Sequence, residues 1–167
     1  MNTEHFQMLF EYNYWANQRV WDSISRLSDE EYHRDLGFGH GSIHNQMVNL
    51  VAGEWIWLTR LHGESPRALL DPADYTRSSI QDVASTVELK FRRFVQDLDD
   101  TKLERHIQYR NTQGGSYSNM LWTVLVEVTN HSTAYRAQAM DMVQKLGGIT
   151  KELYFIHWYR ESMSTAR

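Results

Sequence analysis

Three side chains in the run Glu127-Val-Thr-Asn-His131-Ser-Thr-Ala-Tyr135 can do chemistry together. Glu127, His131 and Tyr135 are spaced i, i+4 and i+8, so on a helix they line up along one side. A carboxylate, an imidazole and a phenol one turn apart make either a metal face or a proton-transfer row, His being the side chain whose ordinary pKa lies nearest neutrality. The same groups also suit a hydrogen-bonded polar seam between packed helices. More polar groups fall on apolar faces elsewhere. Asn13 and Asn17 interrupt the stripe formed by Phe6, Leu9, Phe10, Val20, Ile24 and Leu27, and Glu54 is flanked by Leu50, Val51, Trp55 and Leu58. A buried amide left unsatisfied costs about 1–3 kcal/mol. Asn13 and Asn17 are therefore read as interhelical hydrogen bonders that fix register, or as the wall of a buried polar pocket. Glu54 belongs with them and needs an Arg, a Trp N–H or a raised pKa.

The elements that must position these groups follow from apolar periodicity. Residues 3–27 read as a first long helix, with Met8 and Trp15 on its far side as a second contact surface. Ser28-Asp-Glu-Glu31 is a capping box that starts a short helix ending before Gly37. A lone Glu30-x-x-His33 on so short an element does not make a di-iron site, which needs the motif twice. Ser42 caps a second long helix over residues 43–62, stopped by Gly63. Its narrow polar strip is Gln46, Asn49, Gly53 and Arg60, while His40 and His44 read as loop or cap residues. Residues 63–77 hold both prolines and form a loop. A capping box at Ser78-Ser-Ile-Gln81 opens a third long helix whose stripe carries no chemistry. Residues 104–110 have strand character, and the turn Asn-Thr-Gln-Gly-Gly after them predicts a small hairpin or looped crossover. Ser118 is the expected cap of a fourth long helix over 119–146, and Thr150 that of a final short one. The sum is an all-α chain: one four-helix bundle domain over residues 1–167 with short additions.

Composition removes several functions. A formal charge of −4 without a basic run excludes a protein built to grip nucleic-acid backbones. With no cysteine there are no disulfides, thiolate ligands or protein-borne thiol nucleophile. No apolar run spans a bilayer and no signal peptide opens the chain, so a cytoplasmic protein away from membranes is expected.

Four segments together resemble the DinB/YfiT-like superfamily. They are Tyr12-Asn-Tyr-Trp-Ala-Asn17; Gly41-Ser-Ile-His-Asn-Gln-Met-Val-Asn-Leu-Val-Ala-Gly-Glu-Trp-Ile-Trp57; Asn130-His-Ser-Thr-Ala-Tyr-Arg-Ala-Gln138, running on to Leu-Gly at 146–147; and Tyr154-Phe-Ile-His-Trp-Tyr-Arg-Glu161. The resemblance implies an up-down-down-up four-helix bundle, commonly a homodimer. It also implies a divalent metal on three histidines, one on the second helix five residues before the Glu-Trp and two in an H-x-x-x-H on the fourth. Such a site leaves positions open for water or substrate, and some members use it in thiol-dependent transferase or isomerase reactions.

This chain departs from that pattern at two positions of three. Asn49 stands where the first histidine is implied, His131 is retained, and Tyr135 replaces the second of the pair. An amide oxygen is a weak ligand, and a phenol must first lose a proton of pKa about 10. Zinc, nickel or iron is therefore expected to bind weakly or not at all. Three functions follow: a family bundle whose metal site is lost or weakened, with His131 hydrogen-bonded to Tyr135, Asn49 or Glu127; a metal-dependent small-molecule transferase or hydrolase whose remodelled ligand set includes Glu127; or a metal-free small-ligand or acid/base site. No substrate is legible.

Overall fold

Two apolar clusters set the direction of every long helix. The computed structural model describes residues 1–165. It contains α1 (Thr3–Ile24), α2 (Asp29–His33), α3 (Ile43–Leu61), α4 (Arg77–Gln96), β1 (His106–Arg110), β2 (Ser116–Met120), α5 (Leu121–Lys145) and α6 (Phe155–Thr165). One cluster joins Phe6 and Phe10 from the start of α1 to Leu58 near the end of α3, Phe91 and Val95 late in α4, and Leu121 and Leu125 at the start of α5. The other joins Val20 and Ile24 late in α1 to Ile43 and Met47 at the start of α3, Ile80 early in α4, and Met142 and Val143 late in α5. Helices α1 and α5 therefore run one way and α3 and α4 the other, which is the up-down-down-up order. Each of α1 and α3 packs against both α4 and α5, so α1 and α3 sit diagonally. The crossover after α3 must climb back the length of the bundle to start α4 parallel to it.

Between the clusters lies a polar layer. Asn13 and Asn17 from α1, Glu54 from α3, and Ser132 and Arg136 from α5 are all buried, Arg136 to 1% exposure. Glu54 Oε1 accepts from Asn13 Nδ2 (2.9 Å), Asn17 Nδ2 (3.1 Å) and Ser132 Oγ (2.7 Å). Arg136 Nη1 donates to Asn13 Oδ1 (2.5 Å) and Asn17 Oδ1 (2.8 Å), and its Nη2 to Thr133 Oγ1 (2.8 Å). The two amides thus stand between a carboxylate and a guanidinium, each accepting from one and donating to the other.

The helix starts show where local signals compete. Ser28 and Ser42 cap α2 and α3 as their sequence implies. Helix α4 begins earlier than the Ser78 pattern predicts, because Thr76 takes the cap and exchanges bonds with Ser79. Ser118 does not cap α5. It pairs with Gln108 in the hairpin, and the free N–H groups of Leu121 and Trp122 donate to the carbonyls of Arg105 (2.9 Å) and Leu103 (3.0 Å). Thr150 likewise caps nothing: its Oγ1 accepts from Gln144, and α6 starts at Phe155. Helix α6 lies against the far side of α1, where Tyr12 packs on Phe155 and Trp158 and its hydroxyl donates to Leu153 O (2.6 Å). Among the described residues no helix is long and apolar enough to cross a membrane.

Removing one member of the polar layer strands the others in the core, so Glu54→Leu and Arg136→Met should each cost about 3–5 kcal/mol. The double variant should lose clearly less than the two singles combined. Urea unfolding of the four proteins checks this; strict additivity would show that the two charges are not coupled through the amides.

Candidate functional site

The groove between α3 and α5 is built around a glycine. A Cβ placed on Gly53 would lie 2.7 Å from His131 Nε2 and nearer still to Nδ1 and Cε1, so only a residue without a side chain admits the imidazole against the α3 backbone. One turn further along α5, the Tyr135 ring stacks on His131 with centroids 4.1 Å apart. On the other side of Tyr135 lies His40, 5.3 Å between centroids, with Nε2 3.2 Å from the Tyr135 hydroxyl. The result is a stack of imidazole, phenol and imidazole.

His40 arrives from the loop before α3, where Gly37, Gly39 and Gly41 all have positive φ. At Gly39 (φ +58) the left-handed backbone calls for glycine, and a Cβ there would also push on the flexible end of Met142, 2.9 Å away. Asn45 Nδ2 donates to His40 O (3.0 Å) and fixes the loop. Gln46 closes this end of the groove by donating to Tyr135 O (3.2 Å) and Gln138 Oε1 (3.1 Å).

The remaining sequence-predicted residues fall in three places. Asn49 lines α3 one turn before Gly53, but its Nδ2 is turned back onto Asn45 O of its own helix (2.8 Å). Glu127 is exposed, and its charge acts on the Tyr109 phenol. Asn13, Asn17 and Glu54 lie inside, in the layer directly behind the groove. Burial pushes the Glu54 carboxyl above its ordinary range, against the opposing pull of its three hydrogen bonds and of Arg136. His131 makes none of the hydrogen bonds expected of it: it stacks on Tyr135, and its buried Nδ1 has no protein partner among the described residues. Burial, and then the charge of His40, hold its pKa below the ordinary value.

Sequence reasoning missed three residues. His40 is no bystander, and its signal was the alternation Gly37-Phe-Gly-His-Gly41. Arg136 hid in plain view as the neighbour of Tyr135 and the i+4 partner of Ser132. Gly53, read only as part of a polar strip, is the seat of His131. His44 lies buried in the first turn of α3 and goes elsewhere, its Nε2 meeting Pro72 O (2.9 Å).

The sequence profile of the DinB family matches residues 1–163. The chain belongs to the DinB family. It is 22% identical over 147 residues to Protein DinB of Bacillus subtilis (strain 168), covering 83% of this chain and 84% of that one. Its fold is similar to the crystal structure of a DinB-like protein from Bacillus cereus ATCC 10987, with a TM-score of 0.68 at 17% identity over 92% of this chain and 98% of that one. In this DinB-family chain the three positions where histidines are implied hold an amide committed to its own helix, one imidazole, and a phenol hydrogen-bonded to His40. That donor set does not fit a three-imidazole centre. Among the described residues no three His, Cys, Asp or Glu side chains gather in a geometry that could hold a metal ion.

Gly53→Ala should displace His131 and cost about 1–3 kcal/mol, with most of it recovered when His131→Ala is added; thermal unfolding of the pair checks this. A histidine titration followed by NMR should place His131 below 6.5, with a partial rise in His40→Ala, burial remaining. Between the folded and unfolded pKa the unfolded chain holds the proton and the native one does not. Stability attached to His131 therefore rises with pH through that window and is lost as pH falls through it. A His131 midpoint above 6.5 would contradict the geometry.

Proposed function

We propose that this DinB-family protein binds a small molecule in the α3–α5 groove, with divalent metal held weakly or not at all and the neutral His131 imidazole offered to the ligand. One observation carries the reading: Tyr135, at a position where the family pattern implies a ligand, is stacked between two imidazoles with its hydroxyl bonded to His40. A phenol engaged in this way would have to give up that bond and its proton before ligating a cation. Burial holds the His131 pKa below its ordinary value, which favours the uncharged imidazole, able to accept a hydrogen bond. In this reading the groove works by hydrogen bonding and proton transfer. Glu127, whose charge acts on Tyr109, gives no support to a remodelled metal shell. The apolar side chains left exposed at Tyr154, just before α6, and at Ile156, Tyr159 and Met163 along it support the homodimer that the resemblance implies.

Elemental analysis of protein purified without an affinity tag is the test. Well under one zinc, nickel or iron per chain is expected, together with uptake of zinc or nickel by the double variant Asn49→His plus Tyr135→His. Stoichiometric metal in the natural protein, lost in His131→Ala, would overturn the proposal.

A further inference from the structure

The polar strip of α3 is Gln46, Asn49, Gly53 and Arg60, and the groove chemistry uses only the first three. Arg60 is 8% exposed. Among the described residues its cation meets only two rings, Trp57 and Tyr109, each with its centroid 4.7 Å away. Its Nε is enclosed without a hydrogen-bond partner, and none of the ion pairs among the described residues includes it. Burial holds its pKa below the ordinary value, and only the Tyr109 phenol pulls the other way. Cation–π contact offsets only part of the cost of burying an unpaired charge. The two ring centroids are 5.0 Å apart, so they form a nearly equilateral triangle with the cation. Both rings therefore lie to one side of the guanidinium and leave its other side without aromatic cover.

Helix phase sets Arg60 in line with the groove. Asn49, Gly53, Trp57 and Arg60 are spaced i, i+4, i+8 and i+11, which is one side of α3. Across from them α5 runs antiparallel. Gln46 reaches Gln138 and Gly53 seats His131, so the same register sets Trp57 opposite Glu127. Tyr109 marks this end of the groove from the hairpin. It shares a face of β1 with the buried Ile107, so it points toward the bundle, and its phenol feels the charges of both Arg60 and Glu127. By helix rise Arg60 stands about 10 Å along α3 from Gly53 and the imidazole seated on it.

We propose that Arg60 is the carboxylate subsite of the small molecule that the α3–α5 groove takes: the acid pairs with the guanidinium, an apolar body crosses Trp57, and a polar far end reaches His131. This rests on the groove reading given above. A planar carboxylate accepts two guanidinium N–H donors side by side, and it brings the charge that the chain itself withholds from Arg60. Glu127 is exposed, so water and salt screen its repulsion of such an acid.

Calorimetric titration of the full chain with octanoate and ω-hydroxyoctanoate tests it, with octanol as the uncharged control; the two ends of the hydroxy acid are about as far apart as Arg60 and His131. Both acids should bind saturably and octanol should not. Arg60→Met should weaken both acids about tenfold or more, and Arg60→Lys, which keeps the charge without the fork, should fall between. Without ligand, Arg60→Met should unfold at the same temperature as the natural protein or higher, because it removes a buried unpaired charge; a purely structural cation would lower it. The hydroxyl should tighten binding in the natural protein and not in His131→Ala. Failure of both acids to bind, equal affinity in Arg60→Met and the natural protein, or a lowered unfolding temperature with binding intact would each overturn the Arg60 assignment. Binding that needs Arg60 but gains nothing from the hydroxyl would instead overturn the role given to His131 and leave the carboxylate subsite standing.

Discussion

The bundle depends on two buried charges that meet through amides. A carboxylate on α3 and a guanidinium on α5 are each costly to strip of water, and neither can reach solvent from the middle of the core. Asn13 and Asn17 resolve this because an amide donates and accepts at once: their nitrogens face Glu54 and their oxygens face Arg136. A serine or an aspartate at those positions could not play both parts with the same geometry. The layer draws on three helices at once, so sliding any of them by a turn would strand a charge. Apolar packing above and below tolerates such slippage far better, because Leu, Val and Phe are interchangeable in ways that a hydrogen-bonded quartet is not.

That inner layer also places the outer groove. Glu54 follows Gly53 and Ser132 follows His131, so the Ser132–Glu54 hydrogen bond inside brings the glycine and the imidazole together outside. From there the arrangement propagates along α5 by one turn to Tyr135, and across to His40 on its glycine-rich loop. The lowered pKa of His131 follows from the same placement: the ring is pressed on backbone and on a phenol, largely withdrawn from water, with His40 beyond the phenol as the charged neighbour that acts on it.

Much of this was legible in the sequence because the helical signals agree with one another. Apolar stripes, the Ser28 and Ser42 caps and the Gly63 stop all point to the same elements, and the polar intruders Asn13, Asn17 and Glu54 announced a buried polar layer. What sequence could not supply was which arginine answers Glu54. Arg136 stands on the core side of α5, but several other arginines on helices were equally eligible by spacing. The misplaced caps have one cause, namely that Ser78, Ser118 and Thr150 are acceptable caps locally. A neighbouring Thr76, a strand pairing and a late start of α6 took precedence. His40 went unread for a different reason: the alternating glycines mark a tightly turned loop, but loop residues have no periodicity from which to read where a side chain goes.

The inner layer and the outer groove divide the work: buried groups fix the helices, and different residues line the groove. Asn49 and Tyr135 lie on the groove side of α3 and α5, and neither contributes a side-chain bond to the Glu54–Arg136 layer. Helix register is set behind them by the buried Glu54–Arg136 layer. Substituting the groove positions therefore changes what can be bound there without loosening the helices that present it. Gly53 and His131 are the exceptions, because their contact is where the two levels meet: one side of that pair is packing and the other is chemistry.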